Sequence, residues 1–174
     1  MKKIRVLYDE KTIMKRVREL GKELYQKYGD EEVIFVCTLK GSIFFLCDLL
    51  KNYKGDGRIE FIKVSSYQGE KSTGKITMNL SLSKDNISNK HVIIVEDIVD
   101  TGNTLLYLTD YIKEMKPKSL ATCTLLEKRC KRVANIYPDY YGFIIDDLFV
   151  IGYGLDYDQK YRNLPYIGII EKIS

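Results

Sequence analysis

A mainly parallel α/β sheet flanked by helices is the fold class this sequence predicts, and three observations predict it. Residues 92–95 form an uninterrupted run, Val-Ile-Ile-Val, of the kind that a central strand covered on both faces requires. The carboxylates Glu96, Asp97 and Asp100 follow it, at the carboxyl end of the strand, where open α/β sheets bind ligands. Strand-like and helix-like segments alternate through the first two-thirds of the chain, whereas the strand-rich tail suggests an antiparallel or mixed addition.

From the start, Met1-Lys2-Lys3-Ile4-Arg5-Val6 is basic but leads into no apolar signal-peptide region. A first helix is predicted over 9–28, where Asp9 suits the N-cap, Ile13, Val17, Leu20 and Leu24 share one face, and Gly29 stops it. A strand at 33–38 runs into Leu39-Lys40-Gly41-Ser42 and an apolar helix over 42–51, a second strand-turn-helix with a lysine at its turn. Strands at 59–65 and 76–82 bracket residues 67–75, a polar, Gly-punctuated stretch read as a long hairpin loop able to close over a substrate. After residues 92–95 and their turn, Leu105, Leu108, Tyr111, Ile112 and Met115 recur at helical spacing over 104–116 until Pro117 prevents continuation. Strands at 120–126, 142–145, 149–152 and 167–170 complete the chain. Its 174 residues suit one domain, 1–174, burying about 70% of its unfolded surface.

The turn after residue 95 reads as a monophosphate cradle. Gly102 can take φ > 0, Thr101 and Thr104 offer hydroxyls, and backbone N–H groups converge at a helix start. The plainer alternative is a helix capped by Asp100 or Asn103. Three acids beside a phosphate would repel it by about 4 kcal/mol per charge pair at 4 Å and an effective dielectric of 20, so a divalent cation is implied. Mg²⁺ fits, because it bridges a few oxygen ligands to substrate phosphates.

Composition narrows the chemistry. His91 is the only histidine, which excludes His-based triads and leaves proton transfer to a carboxylate, lysine or tyrosine. Cys37, Cys47 and Cys123 lie in apolar patterns and read, with Cys130, as reduced thiols rather than a metal site. The net charge of +4 is spread along the chain, and the one dense cluster, 128–132, reads as a solvated loop rather than a nucleic-acid patch. No apolar run approaches the ~18 residues of a membrane span, so a cytoplasmic protein without membrane partners is expected. Residues 69–75, Gly-Glu-Lys-Ser-Thr-Gly-Lys, satisfy most of a nucleotide P-loop, but Ile76 replaces the Mg²⁺-binding hydroxyl and the following residues alternate like a strand.

The segment Val95-Glu96-Asp97-Ile98-Val99-Asp100-Thr101-Gly102-Asn103-Thr104 closely resembles the phosphoribosyl-pyrophosphate loop of the type I phosphoribosyltransferases, in their 6-oxopurine branch. Leu39-Lys40-Gly41-Ser42 resembles the family's pyrophosphate loop, and Ser65-Ser66-Tyr67 the opening of its mobile loop. Leu126-Glu127-Lys128-Arg129 and residues 149–157 resemble its purine-binding segments, and Tyr161-Arg162-Asn163-Leu164 its last pyrophosphate contact. The resemblance covers nearly the whole chain. It implies the type I fold, with a small hood formed from N- and C-terminal segments, and a dimer or tetramer.

It also implies a reaction: transfer of the 5-phosphoribosyl group from phosphoribosyl pyrophosphate to N9 of hypoxanthine, guanine or xanthine. In that reading Asp100 is the general base, and Glu96 and Asp97 hold ribose hydroxyls or metal waters. Thr101, Gly102, Asn103 and Thr104 grip the 5'-phosphate, while Lys40, Gly41 and Arg162 meet pyrophosphate. Lys128, Phe149, Val150 and Asp156 bind the purine, Asp156 also holding a second Mg²⁺, and Ser66 and Tyr67 cover the site. Lys128 suits its role physically, since an ammonium donates to a 6-oxo group and accepts nothing from a 6-amino group. Two rivals stand beside it: a P-loop kinase, and a regulator of the same fold that binds nucleic acid, which the acid at Asp100 opposes.

Overall fold

Residues 3–66 and 76–171 are described by this computed structural model, and strand and helix alternate over 4–66 and 76–127. The order is β1 (Ile4–Tyr8), α1 (Glu10–Tyr28), β2 (Val33–Thr38), α2 (Ile43–Asn52), β3 (Gly57–Ser66), β4 (Ile76–Leu80), α3 (Lys84–Ile87), β5 (His91–Val99), α4 (Asn103–Glu114) and β6 (Ser119–Glu127). A 3₁₀ turn (Arg129–Lys131), β7 (Tyr140–Ile144), β8 (Val150–Ile151) and β9 (Ile167–Ile170) follow.

The main sheet has the order β4-β3-β2-β5-β6-β7. All its pairings are parallel except β3 with β4. A second, antiparallel sheet, β1-β9-β8, joins the two ends of the described chain, as the expected hood requires.

The unbroken apolar strands follow from burial on both faces. Along β2 and β5, Val33, Phe35, Cys37, Ile93 and Val95 pack beneath α1 and α2, while Ile34, Val36, Val92 and Ile94 pack against α4. Each such side chain contributes about 1.5–3 kcal/mol of transfer free energy. Helix α1 presents Ile13, Val17, Leu20 and Leu24, all fully buried, to the first of these cores. Its N-cap is the expected one, with Asp9 Oδ1 accepting from Thr12 N at 2.8 Å.

Several expectations change. Residues 4–8, read only as a basic start, form β1. The strand expected over 149–152 is the two-residue β8, and Phe149 lies outside it. The tail is the mixed addition of the two alternatives, because β7 extends the main sheet in parallel with β6 while β8 and β9 pair antiparallel. Cys37 and Cys123 are buried, but Cys47 is exposed on the outer face of α2. Ile76 opens β4 rather than a helix, which removes the context a nucleotide P-loop needs. Residues 67–75, including Tyr67, lie outside the described residues. Among the described residues no helix is long and apolar enough to cross a membrane.

Candidate active site

Because β2, β5 and β6 are adjacent and parallel, the turns that leave them meet at one edge of the sheet. The turn after β5 carries most of the predicted residues. Gly102 sits at φ 87°, in the left-handed region, and a Cβ added there would lie 3.1 Å from Arg132 Nη1 and 3.2 Å from Ile136 Cγ2. Gly102 is also the N-cap of α4, which starts with no side-chain cap. Neither Asp100 nor Asn103 fills that place, so the plainer capping alternative fails. The helix start instead borders a hollow of about 90 Å³ lined by Glu96, Asp100, Thr101, Gly102 and Thr104.

A larger hollow of about 270 Å³ shares Asp100 with the first, and Asp97, Lys128, Phe149, Val150 and Asp156 line it too. Lys128 is buried at the end of β6, with Nζ 3.8 Å from Asp100 Oδ2 and 3.7 Å from Asp147 Oδ1. The other oxygen, Asp100 Oδ1, is buried without a hydrogen-bond partner among the described residues. Phe149 is 58% exposed and meets Tyr157 edge-on, so its ring stands at the mouth of the hollow instead of in a strand core.

The third turn, after β2, brings Lys40 and Gly41 to the same edge, and the Leu39–Lys40 peptide is cis. Gly41 is buried against Asp97, and a Cβ there would fall on Asp97 Oδ2. Lys40 Nζ donates to Gln159 Oε1 at 3.3 Å. Arg162 donates from Nη1 to Gly154 O at 2.7 Å, and its Nη2 pairs with Asp156 Oδ1 at 2.8 Å. Of the residues expected to cover the site, Ser66 ends β3, and Tyr67 is beyond the described residues.

The three acids expected at a metal are not gathered alike. Among the described residues no group of three His, Cys, Asp or Glu forms a metal-binding cluster. Glu96 and Asp97 lie side by side in sequence on β5, whereas Asp156 is tied to Arg162. Burial, then the charge of Asp97, pushes Glu96 well above the usual carboxylate range; a nearby Thr38 hydroxyl offsets this only in part. Burial also pushes Asp97 to about 6, against the backbone N–H groups that lower it. Glu96 Oε1 has no hydrogen-bond partner among the described residues. Such a carboxylate pair fits a cation arriving with the ligand.

These shifts set a pH dependence. Between about pH 4 and the raised values, the folded chain holds protons that the unfolded chain has released, so this contribution to stability falls as pH rises. The Tm of the metal-free chain is expected to decline from about pH 4.5 to 7, and Glu96→Gln to flatten the slope. Equal slopes for the two proteins would remove Glu96 as the cause.

The sequence reading missed the roles of three residues. Asp147 pairs with both Lys128 and Lys131, the latter at 2.9 Å, and Gln159 accepts from Lys40 and Arg162. Glu127, wholly buried, takes Arg129 at 3.2 Å and Arg132 at 3.0 Å. The cluster at 128–132 is the expected solvated loop only in part: Arg129, Cys130 and Lys131 are exposed, whereas the Lys128 and Arg132 side chains are buried, and all four basic residues are paired with acids. The available signal was a lone acid ending the apolar strand run, Leu-Leu-Glu.

A family model described as the phosphoribosyl transferase domain matches residues 4–158. The hypoxanthine-guanine-xanthine phosphoribosyltransferase of Tritrichomonas foetus is 45% identical over 169 residues, covering 97% of this chain and 92% of that protein. The hypoxanthine phosphoribosyltransferase of Escherichia coli is 40% identical, covering 95% of this chain and 94% of its own. A crystal structure of a hypoxanthine-guanine phosphoribosyltransferase from Bacillus anthracis superposes with a TM-score of 0.92 at 40% identity, covering 98% of this chain and 100% of that one.

Proposed function

The chain belongs to the phosphoribosyl transferase family, and on that premise we propose that it is a purine-salvage enzyme. It transfers the 5-phosphoribosyl group from phosphoribosyl pyrophosphate to N9 of a 6-oxopurine, releasing pyrophosphate and a nucleoside 5'-monophosphate. One observation carries this reading: Lys128 and Asp100 lie 3.8 Å apart on the wall of a hollow that adjoins the Gly102 turn.

In this reading the 5'-phosphate takes the N–H groups and hydroxyls of residues 101–104 at the start of α4. Glu96 and Asp97 face the ribose. Lys40, Gly41 and Arg162 receive the pyrophosphate, Arg162 exchanging Asp156 for it. The purine lies between Phe149 and the wall bearing Val150, with its 6-oxo group accepting from Lys128 Nζ and its N7 proton passing to Asp100. Positive charge develops at the ribose ring carbon as the bond to pyrophosphate breaks, and the nearby carboxylates face it.

Mg²⁺ is the cation proposed for the carboxylate pair of Glu96 and Asp97, with Asp156 as the ligand to a second Mg²⁺. When bound, it neutralises charge on the leaving pyrophosphate. The rest of the proposal is one domain spanning 1–174, a homo-oligomer and a cytoplasmic location. The nucleic-acid reading gains nothing from the structure, since the basic cluster is paired with acids.

The test is pyrophosphate release from the sugar donor with hypoxanthine, guanine, xanthine and adenine, with and without Mg²⁺. Release with oxopurines, little with adenine and little without the metal is expected. Adenine serving as well as hypoxanthine, or no release with any base, would overturn the reading. In the same assay Lys128→Ala is expected to lose about 1.5–3 kcal/mol of purine recognition, and an unaltered purine KM would remove Lys128 from the site.

A further inference from the structure

Arg132 lines neither hollow, yet it is built into the back of the phosphate turn. Its side chain is only 6% exposed, and Nη2 pairs at 3.0 Å with Glu127, itself 0% exposed. Its Nε and Nη1 are buried with no hydrogen-bond partner among the described residues. Nη1 is one of the atoms that a Cβ at Gly102 would meet at 3.1 Å. The segment that carries Arg132 is fastened to the same turn, for Val133 N and Ala134 N both donate to Thr101 O, at 2.9 and 3.0 Å.

Besides Glu127 the guanidinium meets the Tyr137 ring, 5.4 Å from Cζ to the centroid, and a buried guanidinium with two N–H groups left without hydrogen bonds is costly if holding the fold is its only role. Its charge is not cancelled either, because Glu127 is shared with Arg129. One negative group serves two positive ones, and the surplus lies directly behind a turn whose other side faces the small hollow.

We infer that Arg132 is a positioning residue: it holds the Gly102 turn in its anion-accepting form and adds positive charge from behind, without touching the ligand. This rests on the phosphoribosyl-transfer reading above, and it assigns to Arg132 selectivity for the phosphorylated sugar over the purine. The sign of the effect separates it from a structural ion pair. Breaking such a pair from either partner costs stability in the same direction, whereas removing Arg132 takes positive charge from the turn and neutralising Glu127 adds to it.

The experiment compares wild type with Arg132→Met, Arg132→Lys and Glu127→Gln, reading Tm, binding of ribose 5-phosphate, and the KM for donor and purine separately. Arg132→Met is expected to weaken ribose 5-phosphate and raise the donor KM by about tenfold, with the purine KM changed less than about twofold. Arg132→Lys, which keeps the charge, recovers most of the loss, and Glu127→Gln binds the sugar phosphate as well as wild type or better. Unchanged sugar-phosphate binding in Arg132→Met would overturn the inference. So would parallel losses in Arg132→Met and Glu127→Gln that track Tm, since these mark a structural pair. Failure of the wild type itself to bind ribose 5-phosphate or the donor would instead bring down the transfer reading on which the inference stands.

Discussion

Replacing Asp100 by Asn is expected to lower turnover by about 10² to 10⁴ while binding of the sugar donor survives. The side chain keeps its size, so the turn that follows it is undisturbed. What is lost is an oxygen able to take a proton: Asp100 Oδ1 is buried with no partner among the described residues, and Oδ2 lies 3.8 Å from Lys128 Nζ. The Asn amide can still turn its oxygen toward Lys128, so the contact survives while the base is lost. Measuring kcat beside donor affinity separates the two effects. Unchanged turnover would remove Asp100 from proton transfer.

Gly41→Ala is expected to lower kcat/KM by about 10², the cost of misplacing reacting groups by roughly 1 Å. A Cβ at this position falls on Asp97 Oδ2, so either Asp97 turns away from the larger hollow or residues 40–41 retreat from it. Stability should drop by only about 1–3 kcal/mol, as for an overpacked site. Tm and activity measured together distinguish a displaced site from a lost fold, and near-normal activity would show that the crowding at Asp97 relaxes harmlessly.

What the sequence made legible was local. The run 92–95, its acids and the Gly102 turn lie within a dozen residues, and their geometry follows from strand burial and one left-handed glycine. The turn at Lys40-Gly41 was legible for the same reason, although the cis peptide before it leaves no mark in residue types. Non-local matters were hidden. Ile4–Tyr8 becomes a strand only because Ile167–Ile170 lies beside it, and nothing near residue 4 announces that partner. The pairing and partial burial of the cluster at 128–132 were hidden because the acids that pair with it, Glu127 and Asp147, come from a buried strand end and a distant turn. Gln159 escaped notice because its link between Lys40 and Arg162 exists only once two turns far apart in sequence have met. Phe149 was placed in a strand by the apolar run that follows it, whereas its own ring is left at the mouth of the pocket.

The pairing of Ile4 with Ile170 has a consequence for how the molecule comes into being. Closing a loop this long is entropically expensive, and contacts this remote in sequence form slowly. The parallel layers around β2 and β5 can assemble without β1 or β9, but Val150, whose strand leans on β9, must wait until Ile167–Ile170 has paired. The Gly102 turn therefore forms before the wall of the larger hollow that bears Val150, so the two hollows are completed one after the other rather than together.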